Sequence, residues 1–209
     1  NHPVYKDNDP QTEYSPLNLG PTHPATHGVF QNVLTLDGER IVNGVSTIGY
    51  IHRAFEKIAE HRPFYQITPL TDRMNYCSSP INNMGWHMTV EKLLGIQMPK
   101  RVDYMRVIAM ELARISDHII CNGVLGVFTG AFTGFLYMMK YREDIYEIYE
   151  EVCGSRLTTN IGRIGGFERN FNHIAFDKIR KFLKEFPAAL KEFEALFNRN
   201  RIFVDRTKD

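Results

Sequence analysis

Few stretches of this 209-residue chain hold side chains able to do chemistry. The first is Gly20-Pro21-Thr22-His23-Pro24-Ala25-Thr26-His27-Gly28, which carries two of the eight histidines. Imidazoles and threonine hydroxyls donate, accept and carry protons near neutral pH, so a loop holding two of each is equipped to present something. An alternative of about equal weight is that the histidines only hydrogen-bond their own loop, because ordered loops need such bonds. His23 and His27 are four apart, a metal spacing on a helix, but Pro24 opposes a helix there and no carboxylate lies near. A metal site is therefore the minority reading.

The second stretch is Arg73-Met74-Asn75-Tyr76-Cys77-Ser78. A phenol opening a helix, as Tyr76 would, can donate to a ligand oxygen; the bland alternative is a tyrosine packed at a helix start. His87 reads as a satisfied core or surface histidine rather than a ligand. The carboxylates Glu56, Glu111 and Asp117 and the arginines Arg53, Arg73 and Arg163 form either a polar network or, more commonly, solvated faces. No phosphate-binding glycine loop, serine elbow or Cys–His pair is present.

The elements that must position these groups follow from punctuation and periodicity. The spacing predicts strands over 29–36 and 41–48, joined at Asp37-Gly38, so the histidine loop precedes the first strand of a hairpin. A short helix is expected over 51–60, stopped by Pro63. Ser79-Pro80 opens a helix that ends at Gly95, and Pro99 begins a longer one with a Val102, Met105, Ile108, Leu112, Ile115, Ile119 stripe. The glycine-rich stretch 123–134 is either a loop or a closely packed helix. A helix over 135–152 stops at Gly154, and 158–171 reads as a loop. The last helix carries Phe176, Ile179, Leu183, Phe186, Leu190, Phe193 and Phe197 as a packing seam, with Pro187 expected to kink it.

The fold class is α+β: a flexible arm over 1–18, a β-hairpin unit over 19–73, and a bundle of about four long helices over 74–209. Composition is that of an ordinary soluble globular protein, with 43% hydrophobic and 23% charged residues. A formal net charge of +1 gives no field that would gather nucleic acid or an anionic membrane. Cys77, Cys121 and Cys153 form no CxxC and fit a reducing compartment. No apolar run reaches transmembrane length and no signal-peptide pattern is seen.

The set GPTHPATHG at 20–28, GYIHRAFEK at 49–57, TDRMNY at 71–76, VEKLLGI at 90–96, Arg106-Val107, ELAR at 111–114, Asp117-His118-Ile119, Tyr141-Arg142-Glu143, Gly154-Ser155-Arg156 and Gly165-Gly166 resembles the 49-kDa-type (D) subunit of respiratory complex I, the NADH:quinone oxidoreductase. The motifs keep the family's order across nearly the whole chain. The family protein is substantially longer, so the resemblance implies correspondence to its N-terminal part, not active alone. It also implies a fold similar to the large subunit of nickel–iron hydrogenases.

From the family, the chain is expected to line a quinone site beside a neighbouring subunit that holds the last iron–sulfur cluster, binding no cofactor or metal itself. Quinone would be the substrate, with other peripheral-arm subunits and the membrane arm as partners and no nucleic acid. The location would be peripheral, on the cytoplasmic face of a bacterial inner membrane or the matrix side of a mitochondrial one. His27 and Tyr76 match the catalytic headgroup partners, with His23 and Phe128 also at the quinone site. An imidazole N–H and a phenol O–H can each take a quinone oxygen or supply a proton. Quinone reduction would be coupled to ion translocation through the mobile loop.

One departure concerns Phe128. The family commonly has an aspartate ten residues after the histidine matching His118, thought to pair with the loop histidine; Phe128 cannot supply that charge, although it leaves the headgroup hydrogen bond untouched. The hydrogenase alternative needs thiolates where Asn75 and Ser78 stand, which leaves a soft-metal site unsupported. The remaining alternative is a structural scaffold with the chemistry elsewhere.

Overall fold

A computed structural model describes residues 14–208. It is α+β, as the punctuation implied, and divides into two compact units at Ile58/Ala59. Residues 59–73 thus group with the helices, not with the hairpin. The expected arm falls partly on 1–13, outside the described residues; its last residues are not an arm.

In the first unit β1 (Ser15–Leu19), β2 (Gln31–Asp37) and β3 (Arg40–Thr47) form an antiparallel sheet in that order. β1 is the correction to the flexible arm. Pro16 pairs opposite Thr35 on an edge strand, where a missing N–H costs no ladder bond. β2 and β3 turn at Asp37-Gly38, with Gly38 at φ 58°, and the register shifts between Thr35 and Leu36. Tyr50 donates its hydroxyl to Gln31 Oε1 at 3.2 Å. Helix α1 (Phe55–Glu60) is shorter than 51–60 because Ala54 sits at φ 51°, a left-handed conformation a helix cannot contain.

The second unit opens with a 3-10 turn at Phe64–Gln66 and α2 (Thr68–Thr71), where the sequence suggested only a connection. A 3-10 turn at Tyr76–Ser78 leads into α3 (Ser79–Leu94), closed by Gly95 at φ 69°. Four long helices then account for the bundle: α3, α4 (Lys100–Thr129), α5 (Phe132–Cys153) and α6 (His173–Asn198), followed by α7 (Arg201–Thr207). The stretch 158–171 is not all loop: β4 (Gly162–Arg163) and β5 (Gly166–Phe167) pair within it.

The glycine-rich stretch resolves into helix. α4 runs to Thr129, Gly130 breaks it at φ 91°, and α5 starts at Phe132. A Cβ on Gly126 or Gly134 would meet the Phe197 ring at 2.2 or 2.3 Å. The glycines are therefore the slots through which α6 drops Phe197 between α4 and α5. The core joins Met84, Met105, Leu112, Ile119, Met138, Ile145, Ile148 and Phe182. α6 buries Ala175, Ile179, Phe182, Ala189, Phe193 and Phe197, while Leu183 is 57% exposed. Its buried stripe is thus rotated from the expected seam, and the helix continues through Pro187.

Candidate functional site

The histidine loop belongs to the first unit. Pro24–Thr26 forms a 3-10 turn whose N-cap is His23; its Nδ1 accepts the Ala25 N–H at 3.1 Å. For His23 the own-loop hydrogen bond is thus real. Thr26 is buried, and its hydroxyl lies 3.2 Å from the Pro21 carbonyl and 3.1 Å from that of His23. Gly20, at φ 104°, is needed because a Cβ there would stand 2.4 Å from the Phe30 carbonyl oxygen. His27 ends the turn at φ 52°, a conformation unusual for a non-glycine residue. The loop is a shaped support that ends on an exposed imidazole.

Tyr76 lies in the second unit, as the first residue of its 3-10 turn. The phenol is 55% exposed, and its hydroxyl has no hydrogen-bond partner among the described residues. Its backbone, by contrast, is tied down. Ser79 Oγ lies 3.2 Å from the carbonyls of both Asp72 and Tyr76. Asn75 donates its amide to Ser78 Oγ at 2.7 Å and to Asp117 Oδ2 at 3.1 Å. Where a nickel enzyme would need thiolates, Asn75 and Ser78 hold each other. No group of three His, Cys, Asp or Glu able to hold a metal is found among the described residues.

Phe128 sits in the last turn of α4 with its ring 58% exposed. The structure places His27 in one unit and Tyr76 and Phe128 in the other. A cleft of about 240 Å³ against α4, α5 and α6 is lined by His118, Asn122 and apolar side chains, and includes none of these three residues.

The second unit also holds a buried polar cluster, of which sequence reading had only His87, as a satisfied core or surface histidine, and missed Glu91 and Asp72. Arg106 holds Glu91 bidentately, and Glu91 Oε1 also accepts the Gly165 N–H at 2.8 Å. His87 is fully buried, with Nε2 3.0 Å from Thr68 Oγ1. Burial and the Arg106 charge push its pKa down to about 4, against a smaller pull upward from Glu91. Asp72 is 1% exposed, and burial raises it to about 6 despite Asn83, Arg73 and Arg163. The available signal was the run Arg106, Ala109, Ala113, Ser116, whose helical spacing puts a cation on a small-residue, buried face. Arg106 lies off the expected apolar stripe, yet it is in the core because Glu91 neutralises it there.

Comparison with known proteins extends what these motifs imply. Residues 129–209 match the family described as the respiratory-chain NADH dehydrogenase, 49 Kd subunit. The chain is 75% identical over 201 residues to the second NADH-quinone oxidoreductase D subunit of Cytophaga hutchinsonii, covering 96% of this chain and 50% of that protein. It is 74% identical over 202 residues to the D subunit of Flavobacterium johnsoniae, covering 97% and 49%. It is 42% identical over 214 residues to the C/D subunit of Bdellovibrio bacteriovorus, covering 99% and 38%. The resemblance in the motifs is borne out: the chain is a homologue of the NADH-quinone oxidoreductase D subunit. It spans about half the length of the curated relatives it matches.

Proposed function

We propose that this chain contributes quinone-headgroup contacts to an NADH:quinone oxidoreductase, with Tyr76 and His27 as the reacting donors and His23 and Phe128 also binding quinone. The observation that carries the reading is Tyr76: an exposed phenol whose hydroxyl has no partner among the described residues, on a turn whose backbone is fixed. A donor held this way meets a ligand oxygen at little ordering cost. His23 supports the loop through Ala25, and His27 is the exposed imidazole at its end. Donation from the phenol or imidazole to the quinone oxygen would accompany its reduction by electrons from a neighbouring iron–sulfur subunit. Coupling to ion translocation would run through movement of the His27 loop.

The partners in this reading are other subunits of the complex, the iron–sulfur neighbour foremost. The Bdellovibrio bacteriovorus relative, a C/D subunit by name, adds a C-type protein as a candidate neighbour. No helix among the described residues is long and apolar enough to cross a membrane, which is compatible with a peripheral position. The test is photoaffinity labelling of the assembled complex with a quinone analogue. Label on 20–28 or on the Tyr76 turn is expected; label that misses both overturns the reading in favour of a scaffold.

A further inference from the structure

Resting on that reading, we propose that Asp117 is a positioning residue for Tyr76 and acts through Asn75. Asp117 lies half-buried in the middle of α4, and its Oδ2 accepts the Asn75 amide at 3.1 Å. The same amide donates to Ser78 Oγ at 2.7 Å. The Asn75 carbonyl takes the Ser78 N–H and the Asn82 side-chain amide, each at 3.2 Å. The residue before Tyr76 is thus held by four hydrogen bonds, and Ser79 holds the Tyr76 carbonyl itself.

Three of the four bonds come from within the segment 75–82. They fix the turn's shape, while burial of Ser78 and Ser79 seats it on the bundle. Asp117 is the member supplied by another helix, so it is the bond that registers the turn against α4. An amide N–H to a carboxylate is charge-assisted and stronger than a neutral pair. The thiol of Cys77, next to Tyr76, reports the same neighbourhood: burial pushes it up, Arg142 opposes this, and Asp117 adds to it. Loss of the Asp117 bond would shift the Asn75 end of the turn, and small misplacements of a reacting group are costly.

Carboxylate and amide are nearly isosteric, so the bond can be tested by exchanging its ends. In the assembled oxidoreductase, Asn75→Asp sets two carboxylates face to face. The KM for a short-chain ubiquinone analogue should rise about tenfold, while NADH-to-ferricyanide electron transfer is kept. The double variant Asn75→Asp/Asp117→Asn restores the bond with donor and acceptor exchanged, and should bring KM back to within about twofold of the parent. A purely structural role predicts instead that Asn75→Asp lowers the Tm and the ferricyanide reaction together with quinone reduction, with KM unchanged. The inference is overturned if Tyr76→Phe lowers quinone turnover but Asn75→Asp leaves KM unchanged, or if the double variant is no better than the single one. If Tyr76→Phe itself leaves quinone turnover unchanged, the functional reading fails first, and the two failures are thereby told apart.

Discussion

The Arg106 guanidinium grips the Glu91 carboxylate through two parallel hydrogen bonds of 2.6 Å, with both side chains about 95% buried. The pair ties α3 to α4 and, through the Gly165 N–H and the Arg163 carbonyl, fastens the β4–β5 hairpin to both. Burial works to raise the Glu91 carboxyl, but the hydrogen bonds from Arg106 and Gly165 outweigh it and hold it below its ordinary value. Removing one partner leaves an uncompensated buried charge. Glu91→Ala should cost about 3–5 kcal/mol in urea unfolding, whereas the paired apolar replacement Glu91→Leu/Arg106→Met should cost far less than the sum of the singles. The Glu91 contribution is present above its unfolded pKa and is lost as pH falls through the folded one.

Asp72 and His87 titrate in opposite senses across the same window. Asp72 rises from 3.8 to about 6, so between those values the native state binds more protons and stability falls as pH rises. His87 drops from 6.5 to about 4, so there the unfolded chain binds more protons and stability rises with pH. Each shift is about two units, roughly 3 kcal/mol, and the two offset each other. Tm measured against pH should show it by difference. Relative to the parent, Asp72→Asn should gain stability progressively from pH 4 to 6. His87→Gln should gain it as pH falls from 6.5 to 4. Parallel profiles for all three proteins would contradict the assignment.

Helical glycines should separate by what faces them. In α3, nothing lies within 4 Å of a Cβ on Gly85, so Gly85→Ala should stabilise by about 0.5–1 kcal/mol. Gly134→Ala drives a methyl into the Phe197 ring and should destabilise by about 1–3 kcal/mol despite the same gain in helix propensity. Thermal unfolding of the two variants side by side checks this, and equal shifts would contradict the slot.

Local signals carried much of the fold. Asp37-Gly38, Pro99, Gly95 and Gly154 mark boundaries that the structure keeps, because each acts on its own backbone. What local signals could not show depends on distant partners. β1 is a strand because β2 lies beside it, and Pro16 hides that in isolation. The turn of the α6 stripe from Leu183 to Phe182 depends on the helices it packs against, and the Gly126 and Gly134 slot for Phe197 lies on those other helices. Of the candidate site, the shape of the histidine loop was legible in its prolines and glycines. The fixing of Tyr76 was not, since it needs Asp117, forty-two residues beyond Asn75.

Contact between the Tyr76 phenol and the quinone is tested most directly by two activities of the assembled complex. NADH-driven quinone reduction and NADH-driven ferricyanide reduction are compared for Tyr76→Phe and the parent. Quinone turnover is expected to fall by about 10- to 100-fold with ferricyanide reduction unchanged, because only the hydroxyl has been removed. Unchanged quinone turnover would contradict the contact.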